Sequence, residues 1–366
     1  MQSPNRSSVR QRVPRLRLIG AACGVAMASA GCGDTAQAPT APAAEPAIAA
    51  AVTSPLSFKI VGTGDFSGCG VTTDNRAFCW GLNDDGQLGD GTRVSHARPA
   101  EVKRGLRFMD LSAGAAHACG VATDSLVYCW GSNSYGQVGD GTLGHRLTPA
   151  KVGSRHYKQV SAGALHTCAV TAANRVYCWG FNVQGELGDG TTTNRLLPVA
   201  VAGSVRFRRI SAGSDHTCGV TSANKAYCWG YNGDHQLGDG SDVTMRLFPS
   251  PVASALSFRQ VSAGGGHTCG LAADQRAYCW GFNEKGQLGD GGVNPHPTPQ
   301  LVTGGHTYGQ LVAGLDYTCG VTTGNRAYCW GHNGQGQLGD GRIDGPDKCY
   351  LDISCSKKPE AVVGPS

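Results

Sequence analysis

From residue 32 to the end the chain carries no net charge. The total is 31 Lys and Arg against 26 Asp and Glu, and the excess of five is Arg6, Arg10, Arg12, Arg15 and Arg17. Such a neutral body lacks the basic surplus that holds nucleic-acid phosphates, so no nucleic-acid partner is expected. Catalytic signatures are missing as well: there is no G-x-S-x-G elbow, no H-E-x-x-H pair and no G-x-x-x-x-G-K phosphate cradle. The cysteines never fall at C-x2-C spacing, which argues against zinc. What the chain does have is glycine, 55 of 366 residues, about 15% and twice the usual share. Without the every-third-residue spacing of collagen, that glycine signals many turns rather than a fibre.

The N-terminus reads as an address. An arginine-rich stretch, residues 1–17, precedes a short apolar run from Leu18 to Ala30 that ends in Ser29-Ala30-Gly31-Cys32. Positive region, apolar region and small residues in that order mark an export signal over residues 1–31, too short for a membrane span. Its end resembles a bacterial lipoprotein cleavage box, with Ser29 where an aliphatic residue is usual. Cys32 is accordingly expected to carry lipid and anchor the chain to a membrane, each buried methylene adding ~0.8 kcal/mol. Ordinary cleavage near Ala28-Ser29-Ala30 is the alternative. Residues 32–54, rich in Ala and Pro, read as a tether reaching ~70 Å when extended.

Residues 55–366 are one unit repeated six times. The tryptophans Trp80, Trp130, Trp179, Trp229, Trp280 and Trp330 stand 50, 49, 50, 51 and 50 residues apart, which uses every tryptophan in the protein. Repeat five, Ser262 to Gly291, reads SAGGGHTCGLAADQRAYCWGFNEKGQLGDG. Short β-branched and aromatic runs between glycine-rich turns at ~50-residue period predict an all-β propeller with four-stranded blades. In the first repeat the strands fall near Phe58–Val61, Cys69–Thr72, Ala77–Trp80 and Pro99–Val102. Asn75, Asn174, Asn224 and Asn325 occupy the hairpin turn, where a left-handed residue is needed. Six blades, closed where the first and last meet, fit the length; seven is the alternative.

The run H-T-C-x-V-T…Y-C-W-G-x-N-x-x-G-Q-L-G-D-G resembles the regulator of chromosome condensation repeat family, including bacterial proteins described as alpha-tubulin-suppressor-like. Well-known members close seven blades. The resemblance implies a propeller that works by binding other proteins. In eukaryotic members it also implies guanine-nucleotide exchange on a small GTPase, an activity that needs a cytosolic or nuclear address. Secreted inhibitors of beta-lactamases share the fold.

Twelve cysteines pair at a constant offset of ten: Cys69/Cys79, Cys119/Cys129, Cys168/Cys178, Cys218/Cys228, Cys269/Cys279 and Cys319/Cys329. In the hairpin each pair faces across two antiparallel strands, with α-carbons ~4.5–5.5 Å apart, inside the range a disulfide accepts. Each would stabilise the fold by roughly 2.5–3 kcal/mol through chain entropy. Cys349 and Cys355 close a loop in an insertion of the last repeat. Disulfides on this scale point to an oxidising compartment, whereas reduced thiols would suit a cytosolic homologue.

The remaining repeated residues have structural readings. His117, His166, His216 and His267 recur before the first cysteine, replaced by Ser67 and Tyr317 in the end repeats. A metal ring would not tolerate those replacements, so hydrogen bonds that brace the blades are expected. Asp90, Asp140, Asp189, Asp239, Asp290 and Asp340 lack the alternating ligands of a calcium loop and read as turn residues. The tryptophans read as blade core rather than a light-sensing cluster. No cofactor and no metal is expected, and catalysis has no evident residue set.

Variation concentrates after each Gly-Asp-Gly, and the longest such segment, Arg342 to Lys358, holds its own cysteine pair. Loops on a rigid scaffold are where recognition resides. Arg342, Asp347, Tyr350, Asp352 and Lys357 are the candidate partner contacts. The leading expectation is a monomeric, non-enzymatic scaffold held by lipid at a bacterial cell envelope, or secreted, and gripping a protein partner. An inhibitor of an envelope or secreted enzyme, an exchange factor and a propeller lyase or hydrolase are the alternatives.

Overall fold

The structure, a computed structural model, describes residues 56–364. The export segment and the whole tether, Cys32 included, lie outside them. Each repeat folds into an antiparallel sheet in simple up-and-down order, giving a six-bladed propeller. In the first sheet the strands are Phe58–Thr63, Ser67–Thr72, Ala77–Gly81 and His96–Glu101. The last sheet gains a fifth strand, Asp347–Lys348, paired to the outer edge of its fourth, Ser354–Ala361.

Local chemistry explains the hairpins. The second and third strands pair without slippage, which sets Cys69 opposite Cys79, Cys119 opposite Cys129 and Cys168 opposite Cys178. The same register sets Cys218 opposite Cys228, Cys269 opposite Cys279 and Cys319 opposite Cys329. All six pairs are disulfide-bonded, as the constant offset of ten predicts. One expectation needs correcting. The α-carbons of Cys69–Cys79, Cys119–Cys129, Cys168–Cys178, Cys218–Cys228, Cys269–Cys279 and Cys319–Cys329 are each 4.1 Å apart. That is closer than the ~4.5–5.5 Å of ordinary facing residues, because the sulfur link draws the two backbones together. The turn residue is left-handed in every copy: Asn75, Asn174, Asn224 and Asn325 have φ between 59° and 68°, and Ser125 and Gln275 adopt 66°.

The core lies between sheets rather than within them. Each of five apolar clusters joins the cysteine pair of one sheet to an aromatic and a tryptophan of the next, for example Cys69, Val71 and Cys79 with Phe108 and Trp130. Cys129 meets Trp179 in this way, Cys228 meets Trp280 and Cys279 meets Trp330. Within each seam the indole Nε1–H of the incoming tryptophan donates to a carbonyl of the previous sheet. Trp130 bonds Gln87, Trp179 bonds Gln137, Trp229 bonds Glu186, Trp280 bonds Gln236 and Trp330 bonds Gln287, at 2.9–3.0 Å. A glycine forms the floor under each indole. At Gly89, φ is +68° and a Cβ would come within 2.7 Å of the Trp130 ring, so no other residue fits there.

The histidines brace four of those seams. Nε2 of His117, His166, His216 and His267 lies 2.8 Å from a threonine hydroxyl of the following sheet: Thr167, Thr217, Thr268 and Thr318. Each threonine hydroxyl in turn donates to a backbone carbonyl, as Thr167 does to Gln137. The threonine therefore accepts from the imidazole, which fixes the proton on Nε2. Burial keeps these rings neutral, lowering His117 and His267 to about 4 and His166 and His216 to about 3.

Closure differs from expectation. Among the described residues, the sixth sheet makes none of these bonds to the first. Val321 is 40% exposed and Val61 56% exposed, whereas their counterparts Val71 and Leu111 are buried. Trp80 is the one tryptophan not fully buried. Tyr317 stands where the bracing histidine belongs, and Gly68 stands where the next sheet offers threonine. The filled seam between sheets one and two also lacks the brace, with Ser67 and Ala118 in those places, so its loss alone does not open a seam. The seam between sheets six and one is open.

Candidate partner-binding face

First strands line a central cavity of about 380 Å³ whose wall is mostly Ala and Gly from every sheet. Its titratable lining is Asp65, Asp316, Tyr317 and His332, from the first and last repeats, with Asp316 paired to Lys285. No group of three His, Cys, Asp or Glu suited to a metal occurs among the described residues.

The six Gly-Asp-Gly aspartates are fully engaged in their own turns. Asp189 Oδ1 accepts from the Thr191 amide and hydroxyl at 2.9 and 2.7 Å, and Oδ2 pairs with Arg195 at 2.8 Å. Burial opposes ionisation there, yet the Thr191 and Arg195 hydrogen bonds outweigh it and hold the carboxyl below its ordinary range. His96, Arg146, Arg246 and His296 repeat the pairing on Asp90, Asp140, Asp239 and Asp290. These are turn locks that tie the loop to the fourth strand.

The insertion of the last repeat is the largest departure from the repeated pattern. After Arg342 the chain forms the short strand Asp347–Lys348, a 3-10 turn over Tyr350–Asp352 and then the outer strand. Cys349 and Cys355, both buried, are disulfide-bonded with α-carbons 6.0 Å apart. The Tyr350 amide donates to the Glu284 carbonyl of the fifth sheet at 3.1 Å, fixing the loop to the scaffold.

The five residues named from the sequence divide in two. Arg342 is the lock of its own turn, Nη2 to Asp340 at 2.8 Å, and Asp347 accepts from the Lys357 amide at 3.0 Å. Both hold the loop's shape, and Lys357 contributes through its backbone. Tyr350 and Asp352 are exposed at the tip. Sequence reasoning missed the apolar part of this tip: Leu351 is 79% and Ile343 77% exposed. Both belong to the segment singled out as variable, and apolar residues in a turn-rich, stapled insertion were the available signal.

A six-fold repetition of four-stranded sheets, joined by tryptophan seams, defines a β-propeller. The chain belongs to the RCC1-like domain family, whose model matches residues 21–360. Human WBSCR16 is similar in fold, at 21% identity over 85% of this chain and 82% of that one, with a TM-score of 0.75. So is Prp20p from Saccharomyces cerevisiae, at 20% identity over 83% and 76%, with a TM-score of 0.72. That structure is described with its binding to Gsp1p and histones. The CRINKLY ectodomain of the Arabidopsis thaliana receptor kinase ACR4 matches at 26% identity over 75% and 80%, with a TM-score of 0.50.

Seven disulfides are the chemistry of a protein outside the reducing cytosol. Among the described residues no helix is long and apolar enough to cross a membrane.

Proposed function

We propose that this chain is a non-enzymatic interaction scaffold, tethered by a lipid on Cys32 to a cell envelope, that grips a protein partner through the stapled insertion of its last blade. The observation that carries the reading is the tip itself: Ile343, Tyr350 and Leu351 stand exposed on a loop fixed by Cys349–Cys355 and by the Glu284 carbonyl. Apolar and aromatic side chains held out on a rigid loop lose little entropy on docking, which is how binding surfaces gain affinity. The similarity to a receptor ectodomain supports an outward-facing setting for this fold.

The test is a pull-down from envelope extract with the native chain and with Ile343→Ser/Tyr350→Ser/Leu351→Ser. A stoichiometric partner that is retained by the first and lost by the second is the expected result; equal capture by both refutes the binding face. Excising the whole of residues 342–358 is the wrong variant, because Ser354–Ala361 is the outer strand of the last sheet. Intact mass of the mature protein checks the anchor, which requires acyl mass on Cys32.

A further inference from the structure

The five filled seams define what the open one is shaped to receive. In each, an indole from the next sheet lies on a left-handed glycine and donates to the carbonyl two residues before it: Gly89 with Gln87, Gly139 with Gln137, Gly188 with Glu186, Gly238 with Gln236 and Gly289 with Gln287. Sheet six has the same parts in the same conformation. Gly339 has φ +64°, Gln337 precedes it by two, and Val321 and Val362 line the flank. No indole reaches the Gln337 carbonyl. A Cβ at Gly339 would meet a Val362 methyl at 3.2 Å, where at the other five glycines it would meet a tryptophan ring. Gly339 is exposed and Val362 is 40% exposed, while Gly89, Gly139, Gly188, Gly238 and Gly289 are buried.

We propose that this flank of sheet six is a socket for a tryptophan carried on an extended segment of a partner polypeptide, the indole N–H donating to the Gln337 carbonyl and the ring lying on Gly339. Five occupied copies of the socket within one molecule specify the ligand's chemistry. Residues 1–55 contain no tryptophan, and five of the six tryptophans already fill seams, so this chain has only Trp80 to offer. The socket involves different residues from the insertion tip, and its test is independent of that reading.

The experiment is an NMR titration of the isotope-labelled full chain with the acetylated, amidated heptapeptide AYSWGFN. That peptide is the third strand of repeat five and its continuation, with serine for cysteine. Expected is a saturable shift of the Gly339 amide and its neighbours at up to millimolar peptide, absent with AYSAGFN. Val321→Asp is expected to weaken it at least ~tenfold by setting a charge against the ring. Val321 is already partly in solvent, so this variant keeps the fold, which the unchanged amide spectrum of sheets two to five verifies. Three results overturn the proposal: no saturable shift at Gly339, equal binding of the tryptophan-free peptide, or contacts between the Trp80 indole and Gly339 showing that the ring closes on itself.

Discussion

Five seams of this propeller and the sixth are built from nearly the same residues and reach opposite outcomes. Between sheets two and three, Trp179, Val121 and Val160 are buried and the Trp179 indole is bonded to Gln137. Between sheets six and one, the equivalent Trp80, Val321 and Val61 remain in contact with solvent. Apolar composition alone therefore does not close a seam. A propeller is a one-dimensional array in which stability is a sum over neighbouring interfaces, and the two end flanks are left without one.

The widest separation of the two kinds of seam comes from removing an indole. Trp179→Ala in a filled seam is expected to lower unfolding free energy by about 3–5 kcal/mol, the cost of a large core cavity. Trp80→Ala is expected to cost less than about 1 kcal/mol, since its ring is not enclosed. Denaturant melts of both variants decide this, and equal losses would mean that the sixth seam is closed in solution.

Reductant probes the same contrast. Cys129, Cys168, Cys178, Cys228 and Cys279 are fully buried in filled seams, whereas Cys319 on the open flank is partly accessible. Thiol–disulfide exchange depends on access to the sulfur, so Cys319–Cys329 is expected to be the first of the six hairpin disulfides to open under limiting reductant. Mass-mapped alkylation reads the order. Loss of any one hairpin bond should then cost roughly 2–3 kcal/mol through loop entropy.

These contrasts mark what the sequence made legible. Blade number, strand order, cysteine pairing and the bracing histidines all follow from a text copied six times, because repetition averages out local ambiguity. Closure was not legible from the copied text. Tyr317 for histidine and Gly68 for threonine were visible as letters, but Ser67 and Ala118 make the equivalent change in the seam between sheets one and two, which is filled. The last seam pairs positions at opposite ends of the chain, so no local text reports whether they meet. The insertion was found as variable sequence. Of its polar residues, Arg342 and Asp347 also bond within the loop, to Asp340 and the Lys357 amide, which the sequence alone did not reveal.

Acid tests the braced seams as a group. His117, His166, His216 and His267 are held neutral by burial, well below the ordinary histidine value of 6.5. Below that value the unfolded chain takes up protons that the native seams refuse, so stability is complete above pH ~6.5 and falls as pH drops toward ~4. His166→Gln is expected to flatten this slope by one proton's share, read from denaturant melts between about pH 7 and about pH 4. The open seam carries Tyr317 in place of histidine and contributes nothing to it.

The smallest effect lies in a single filled seam. Glu186 occupies the place of Gln87, Gln137, Gln236, Gln287 and Gln337, is fully buried, and leaves Oε1 without a hydrogen-bond partner. Burial raises its carboxyl to about 7. An acid whose folded pKa lies above its unfolded value favours the native state when protonated, so its contribution declines as pH rises from ~4.5 through ~7. Glu186→Gln removes that decline while keeping the side-chain acceptor for the Gln184 amide, now held by Glu186 Oε2 at 2.9 Å. The variant is expected to be more stable than the native chain by about 1–2 kcal/mol at pH 8 and indistinguishable from it near pH 4. A loss of stability at pH 8 would show instead that the charge in this seam is compensated by a partner.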